Sequence, residues 1–319
     1  MSAFTSVFEW HLQRFLAHKR SLGFAYRREE GYLREFDRFA RPIHEAVLSE
    51  EVVRGYLSGV SASSRPHHLT MIRQLARFLL LEEPRTFIPP ERFLGARRRR
   101  PVIRVLSRAE AGRFLDACDR LPDSSRIPRR LVHGTALRVL LLTGLRRGEA
   151  LGLRERDVDL AASLLTVHRG KFGKTRFVPI AADLSDRLRS YRDNVAAHVA
   201  PRRPGDAFFP RADGRQAASL ASLYKSFRMA LAIAGIEHRG RGEGPRLHDL
   251  RHTFAVLRLL SWYEADADLG AKLPLLATYL GHAGLANCQV YLHMTGDLVA
   301  EVTRLQLAHF GGLITEVTQ

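Results

Sequence analysis

Leu247-His248-Asp249-Leu250-Arg251-His252-Thr253-Phe254-Ala255 is the stretch on which the reading of this chain turns. Its pattern predicts a helix over about 247–260, on which His248 lies three residues before Arg251. One helical turn sets the imidazole and the guanidinium on the same face. Downstream come Leu280-Gly281-His282 and, nine residues after that histidine, Tyr291; upstream stands Thr143-Gly144-Leu145-Arg146-Arg147-Gly148-Glu149. Two arginines, two histidines and a tyrosine in this order suggest a site that grips one phosphate and attacks it with a phenol.

The bulk composition agrees with a polyanionic partner. The formal net charge is +17 and the sequence pI about 10.8, carried almost entirely by arginine. Arginine's planar fork suits phosphate better than an ammonium does. Codon preference accounts for part of the choice of arginine over lysine, but not for the shortage of acids. At 319 residues two domains are expected, and 45% hydrophobic residues are enough to bury proper cores. Cys118 and Cys288 are the only cysteines, which excludes a disulfide framework and a cysteine-based zinc site. Met1–Trp10 has no signal-peptide pattern. The apolar run Ala136–Leu145 is short and broken by Arg138, well below a membrane span. A soluble, cytoplasmic protein with no membrane partner is the expectation.

Residues 1–95 read as a small bundle of four helices. Phe8, Leu12, Phe15 and Leu16 mark the first, closed by a turn at Leu22-Gly23-Phe24, and Tyr32, Leu33, Phe36 and Phe39 mark the second. Ser49 is placed to cap a third, and Leu69, Ile72, Leu75, Ala76 and Leu79 mark a fourth. Arg14, Lys19, Arg20, Arg65, His67, His68, Arg73 and Arg77 predict a basic exterior. Arg97-Arg98-Arg99-Arg100-Pro101 then breaks the pattern, as a solvated linker (96–104) or a direct phosphate contact; a basic linker along a DNA backbone is both. From 105 to 319 the pattern is mixed. Ser107 with Glu110 is a capping box, Leu137–Leu142 a buried helix, and Leu164–Val167 and Arg176–Ile180 two strands joined through Gly170 and Gly173. Further helices are expected at about 183–197, 218–234, 272–280 and 297–309. The fold class is mainly α with a small antiparallel sheet.

Singly, these residues carry little. His248 and His252 have zinc-binding spacing, but no Glu follows the first and no third ligand is suggested, so a metalloprotease is disfavoured. Gly170-Lys171 lacks the spacing of a phosphate-cradling loop, and Gly240, Gly242 and Gly244 follow no strand and read as a basic loop.

Together, the four segments Thr-Gly-Leu-Arg-Arg-Gly-Glu, Gly-Lys-Phe-Gly-Lys-Thr-Arg-Phe-Val-Pro-Ile, Leu-His-Asp-Leu-Arg-His-Thr-Phe-Ala and Leu-Gly-His followed by Tyr stand in one order. That order resembles the catalytic domain of the tyrosine recombinases, the phage integrase family, over about 105–310, and residues 1–95 resemble the family's core-binding domain. The resemblance implies a site-specific recombinase that cuts and rejoins DNA through a 3′-phosphotyrosyl intermediate. It makes Arg146 and Arg251 the clamp on the scissile phosphate, His248 the general base and Tyr291 the nucleophile. His282 hydrogen-bonds the phosphate or positions the tyrosine, and Lys171, favoured over Lys174 because it follows the glycine directly, protonates the leaving 5′ oxygen. For Lys174 and Arg176 the reading is phosphate contact or plain solvation. Glu149 supports the arginines, and Asp249 and His252 orient or pack. Ala150 and Cys288 depart from the family's usual residues, as packing changes.

The chemistry implied stores the phosphodiester energy in the protein–DNA bond, so neither cofactor nor metal is expected. The partners implied are double-stranded DNA and further copies of the chain, a tetramer in synapsis, with accessory or sister recombinases possible. The apolar positions Leu298, Val299, Val302, Leu305 and Leu307 suit packing within the subunit or on its neighbour. The longer stretch Ser261–Leu273 favours a mobile-element integrase over a minimal chromosome-resolution enzyme. Two alternatives remain: a DNA-binding protein without catalysis, which should have lost a catalytic position, and a monomeric type IB topoisomerase, against which the N-terminal bundle argues.

Overall fold

Four apolar stripes at helical spacing become four helices: α1 (Glu9–Ser21), α2 (Arg27–Ala40), α3 (Glu50–Ser58) and α4 (Arg65–Leu79). In this computed structural model the described residues are 4–95, 102–123, 127–168, 175–211, 213–238, 240, 243–281 and 291. The chain divides into two compact units, Met1–Arg100 and Pro101–Gln319. In the first, Phe8, Leu12, Phe15, Leu33, Phe36, Leu57, Ile72 and Leu75 are wholly buried and form one core. Ser49 caps α3 by accepting from the Val52 amide, and Pro66 sits in the first turn of α4, where a missing N–H costs nothing.

The basic exterior of this unit is smaller than its residue list implies. His68 is buried, with Nδ1 2.6 Å from the Tyr56 hydroxyl. Arg65 spends its guanidinium on the carbonyls of Leu57, Val60 and Leu94. Arg14 lies over the Trp10 ring and pairs with Glu82 at 2.7 Å. Phe39, read as part of the apolar stripe of α2, is 36% exposed. Arg97–Arg100 lie outside the described residues.

The second unit opens on the expected capping box. The Ser107 side chain accepts from the Glu110 amide and the Glu110 carboxylate accepts from the Ser107 amide, starting α5 (Arg108–Asp119). A π-type turn at Arg130–Gly134 leads into α6 (Thr135–Thr143), the central buried helix. Arg138, which breaks the apolar run, reaches the Leu115 carbonyl and Asp119. Then come α7 (Arg147–Gly152), β1 (Val158–Asp159), β2 (Leu164–Val167), β3 (Arg176–Pro179), α8 (Ala182–Ala196) and α9 (Leu220–Ile233). Among the described residues, α10 (Asp249–Glu264) and α11 (Leu269–Leu280) come next.

The sheet is antiparallel in the order β1-β2-β3, with Leu165 opposite Val178 and Val167 opposite Arg176. Leu165, Val167 and Val178 are buried, so the pleat turns that face into the core and leaves Phe177 on the other. The residues expected as a turn between β2 and β3, with Lys171 and Lys174, and the segment expected as a helix at 297–309 lie outside the described residues. The fold is mostly helical with a small antiparallel sheet, as expected. Among the described residues, no helix is long and apolar enough to cross a membrane.

Candidate active site

Two of the helices that build the site end on left-handed glycines. Gly144 (φ +63°) closes α6 and Gly281 (φ +68°) closes α11, conformations a side chain disfavours. A Cβ on Gly144 would lie 2.6 Å from Phe254 Cδ1 and 2.8 Å from Leu280 Cδ2, so α10 and α11 pack directly on that turn. Helix C-termini leave carbonyls without intrahelical partners, and cations are favoured there. The site is built by filling those carbonyls with arginines.

Three consecutive carbonyls at the end of α11 each receive one guanidinium. Arg176 Nε donates to the Tyr279 carbonyl at 2.9 Å, Arg251 Nη2 to Leu280 at 2.7 Å, and Arg146 Nη2 to Gly281 at 2.9 Å. Arg251 also donates through Nη1 to the Gly144 carbonyl at 2.7 Å, bridging the ends of α6 and α11 while only 2% exposed. Burial, and then the charge of Arg146, push its pKa down to about 10, so it stays cationic at neutral pH.

Glu149 organises the other two. Its carboxylate accepts from Arg176 Nη1 and Nη2 at 3.1 and 2.8 Å, from Arg146 Nη1 at 2.7 Å and from the Arg146 amide at 2.9 Å. Burial alone would raise its pKa. The hydrogen bonds from Arg176 and from the Arg146 amide and side chain outweigh burial and hold the carboxyl at about 2. Three guanidiniums, two of them bonded to the one carboxylate, leave the junction net positive.

His248 stands at the N-terminus of α10 and keeps solvent access. Enough protein still crowds it that desolvation, then Arg251, lower its pKa and favour the neutral ring. The His252 ring lies edge-on to it, centroids 4.9 Å apart, and 5.5 Å from the ring of Tyr291. Burial and then His248 lower His252 to about 4, and its buried Nδ1 has no hydrogen-bond partner among the described residues. Tyr291 is 2% exposed, in a cluster with Phe254, Ala255, Leu259, Leu276 and Leu280, near enough to Arg251 for the phenol to act on the guanidinium's charge.

Of the residues singled out from the sequence, Arg146, His248, Arg251 and Tyr291 therefore meet where α6, α10 and α11 converge. Lys171, Lys174 and His282 lie outside the described residues. Arg176, read as a phosphate contact or a solvated charge, instead turns inward with its side chain 12% exposed. The reason is the buried Glu149 carboxylate, which would be costly to leave unpaired. Asp249, wholly buried, takes Arg246 through both carboxylate oxygens at 2.6 and 3.1 Å. Sequence reasoning missed the Arg176–Glu149 pair and the carbonyl row. The only signal for them was the pair of helix-ending glycines, each just before a motif residue.

A model described as the phage integrase family matches residues 104–296, more than half of the chain. A protein of Sinorhizobium fredii named as an integrase/recombinase, y4rE, is 34% identical over 94% of this chain and 96% of its own length. Among solved structures, the XerH site-specific recombinase bound to a palindromic difH substrate, a post-cleavage complex, aligns with a TM-score of 0.61 at 21% identity. It covers 85% of this chain and 77% of that one. A lambda integrase tetramer bound to a Holliday junction aligns with a TM-score of 0.56 at 19% identity, over 88% of this chain and 76% of that one. The structural likenesses establish the shared fold. The family match and the long, well-covered relative settle the kinship: the chain belongs to the phage integrase family, the tyrosine recombinases, enzymes of site-specific DNA breakage and rejoining.

Proposed function

We propose that Tyr291 is the nucleophile of this recombinase and that the arginine junction is its phosphate clamp. The observation that carries the reading is that Tyr291 lies 5.5 Å from the His252 ring and close enough to Arg251 to act on its charge, with His248 against His252. Arg146 and Arg251 neutralise the non-bridging oxygens as the phosphorus becomes pentacovalent. The Tyr291 phenol oxygen bonds to phosphorus and gives its proton to His248. The bond from phosphorus to the 5′ oxygen breaks, and Lys171 protonates that oxygen. The protein is left on the 3′ phosphate, and attack by another 5′ hydroxyl reverses each transfer. His282 hydrogen-bonds the phosphate or positions the phenol. Lowering of the His248 pKa by its surroundings keeps the ring able to accept a proton.

The Met1–Arg100 unit is the core-binding domain in this reading, and Arg97–Arg100 with Lys174 contact the DNA backbone. Four copies act on two paired sites in the cytoplasm, in the integration or excision of a mobile element. The near full-length match to an integrase/recombinase supports the last point, and the fold shared with a tetrameric neighbour supports the assembly. The test is a nicked DNA substrate that traps the covalent intermediate. Wild-type protein should form an adduct and Tyr291→Phe none; an adduct that survives the substitution overturns the assignment of the nucleophile.

A further inference from the structure

We infer that Arg176 is a positioning residue: a brace that fixes the β2–β3 hairpin and the end of α11 to the Arg146 turn, rather than a DNA contact. The inference rests on the recombinase reading above and assigns a role within that same site.

The hydrogen bonds form a closed circuit. Arg176 joins Glu149 on one side and the Tyr279 carbonyl on the other; Glu149 joins Arg146, and Arg146 joins the Gly281 carbonyl two residues from Tyr279. Remove Arg176 and the circuit opens at the one point where β3 enters it. The guanidinium also lies flat against Gly281. A Cβ there would be 2.9 Å from Nη1, 3.0 Å from Cζ and 3.1 Å from Nε, so the glycine leaves room for the brace as well as ending the helix.

The circuit reaches segments that the proposed chemistry needs in register. β3 follows in sequence the segment that carries Lys171, Gly281 is followed directly by His282, and Arg146 is one half of the proposed clamp. With Nε on the Tyr279 carbonyl and both Nη atoms on the Glu149 carboxylate, all three nitrogens of Arg176 are committed to holding α11, α7 and β3 at fixed distances. Displacements of about 1 Å from a change outside the chemistry can cost on the order of a hundredfold in rate.

The experiment compares wild type with Arg176→Met and Arg176→Lys by DNA binding across salt concentrations, by single-turnover adduct formation at saturating DNA, and by amide exchange of the free protein. Arg176→Met should bind with wild-type affinity and salt slope while forming adduct on the order of a hundredfold more slowly. Arg176→Lys, which keeps the charge but cannot span Glu149 and Tyr279, should recover only part of the rate. The Arg146 amide, held by Glu149 at 2.9 Å, should exchange faster in both variants. A salt slope shallower by about 0.9 with an unchanged rate at saturation makes Arg176 a phosphate contact and overturns the brace. Unchanged exchange at Arg146 overturns it too. If wild type forms no adduct, the recombinase reading fails by itself, and exchange at Arg146 still decides the brace. Should Arg176→Met not fold, Arg176→Lys carries the same comparisons.

Discussion

A guanidinium 2% exposed and bonded to the ends of two helices is part of the framework before it meets any substrate, as Arg251 is here. Lysine at this position keeps the charge but offers one donor centre where a planar fork is needed. Arg251→Lys should therefore lower stability by about 2–3 kcal/mol, through a buried carbonyl left unpaired, as well as abolish adduct formation. Thermal unfolding and the trapping assay read the two effects separately. The histidines give a second expectation. Burial, as the leading cause, holds His252 and also His133 at about 4, below the ordinary 6.5. A depressed histidine favours the neutral folded form, so its contribution is intact above pH 6.5 and is lost as pH falls toward 4. Denaturant titrations from pH 7.5 to 5 should show falling stability, and His133→Gln should flatten the slope. An unchanged slope in that variant would remove His133 from the account.

At the scale of elements, the decisive features are where helices stop. Gly144→Ala must place a Cβ against Phe254 and Leu280 at a positive φ, so both strain and overpacking act. A loss of about 2–4 kcal/mol is expected, against about 1 kcal/mol for Ser107→Ala at the capping box of α5. Calorimetry on the two variants tests the ranking. The sequence showed these elements unevenly, for physical reasons. Long amphipathic helices and the β2–β3 pair repeat their apolar residues often enough to be read. β1 at two residues and α7 at six are too short for a period to show, and α11 begins at Leu269 rather than near 272 because Asp268 caps it. Arg146, His248, Arg251 and Tyr291 could be singled out because their types and spacing are themselves the signal, and the structure brings them together. The inward turn of Arg176 was not, since an arginine in sequence says nothing about which side it faces, and its acceptors include a main-chain carbonyl.

For the molecule as a whole, the net charge of +17 makes DNA affinity strongly salt-dependent whatever the site sequence, with a log–log slope of about −0.9 per phosphate contacted. The division into Met1–Arg100 and Pro101–Gln319 suggests a dissection. A chain starting at Pro101 should keep the arginine junction, whose described members all lie beyond that point, and lose affinity and site preference together with several units of salt slope. Binding isotherms of the full chain and of the shortened one at three ionic strengths test this. Equal slopes would leave the first unit without a part in DNA binding.

The carbonyl row at the end of α11 has a consequence for which changes this enzyme can tolerate. Tyr279, Leu280 and Gly281 lend the arginines their main chain, so no side-chain replacement at Tyr279 or Leu280 deletes an acceptor. Chain length is another matter. One residue added to an α-helix rotates everything after it by about 100°. A single alanine inserted before Tyr279 would swing all three acceptors away from Arg176, Arg251 and Arg146 in one step. The anchor of the site is thus encoded in a count of residues more than in their identities. Related chains should keep the spacing from α11 to its glycine fixed, whatever conservative changes the packing at Tyr279 and Leu280 admits.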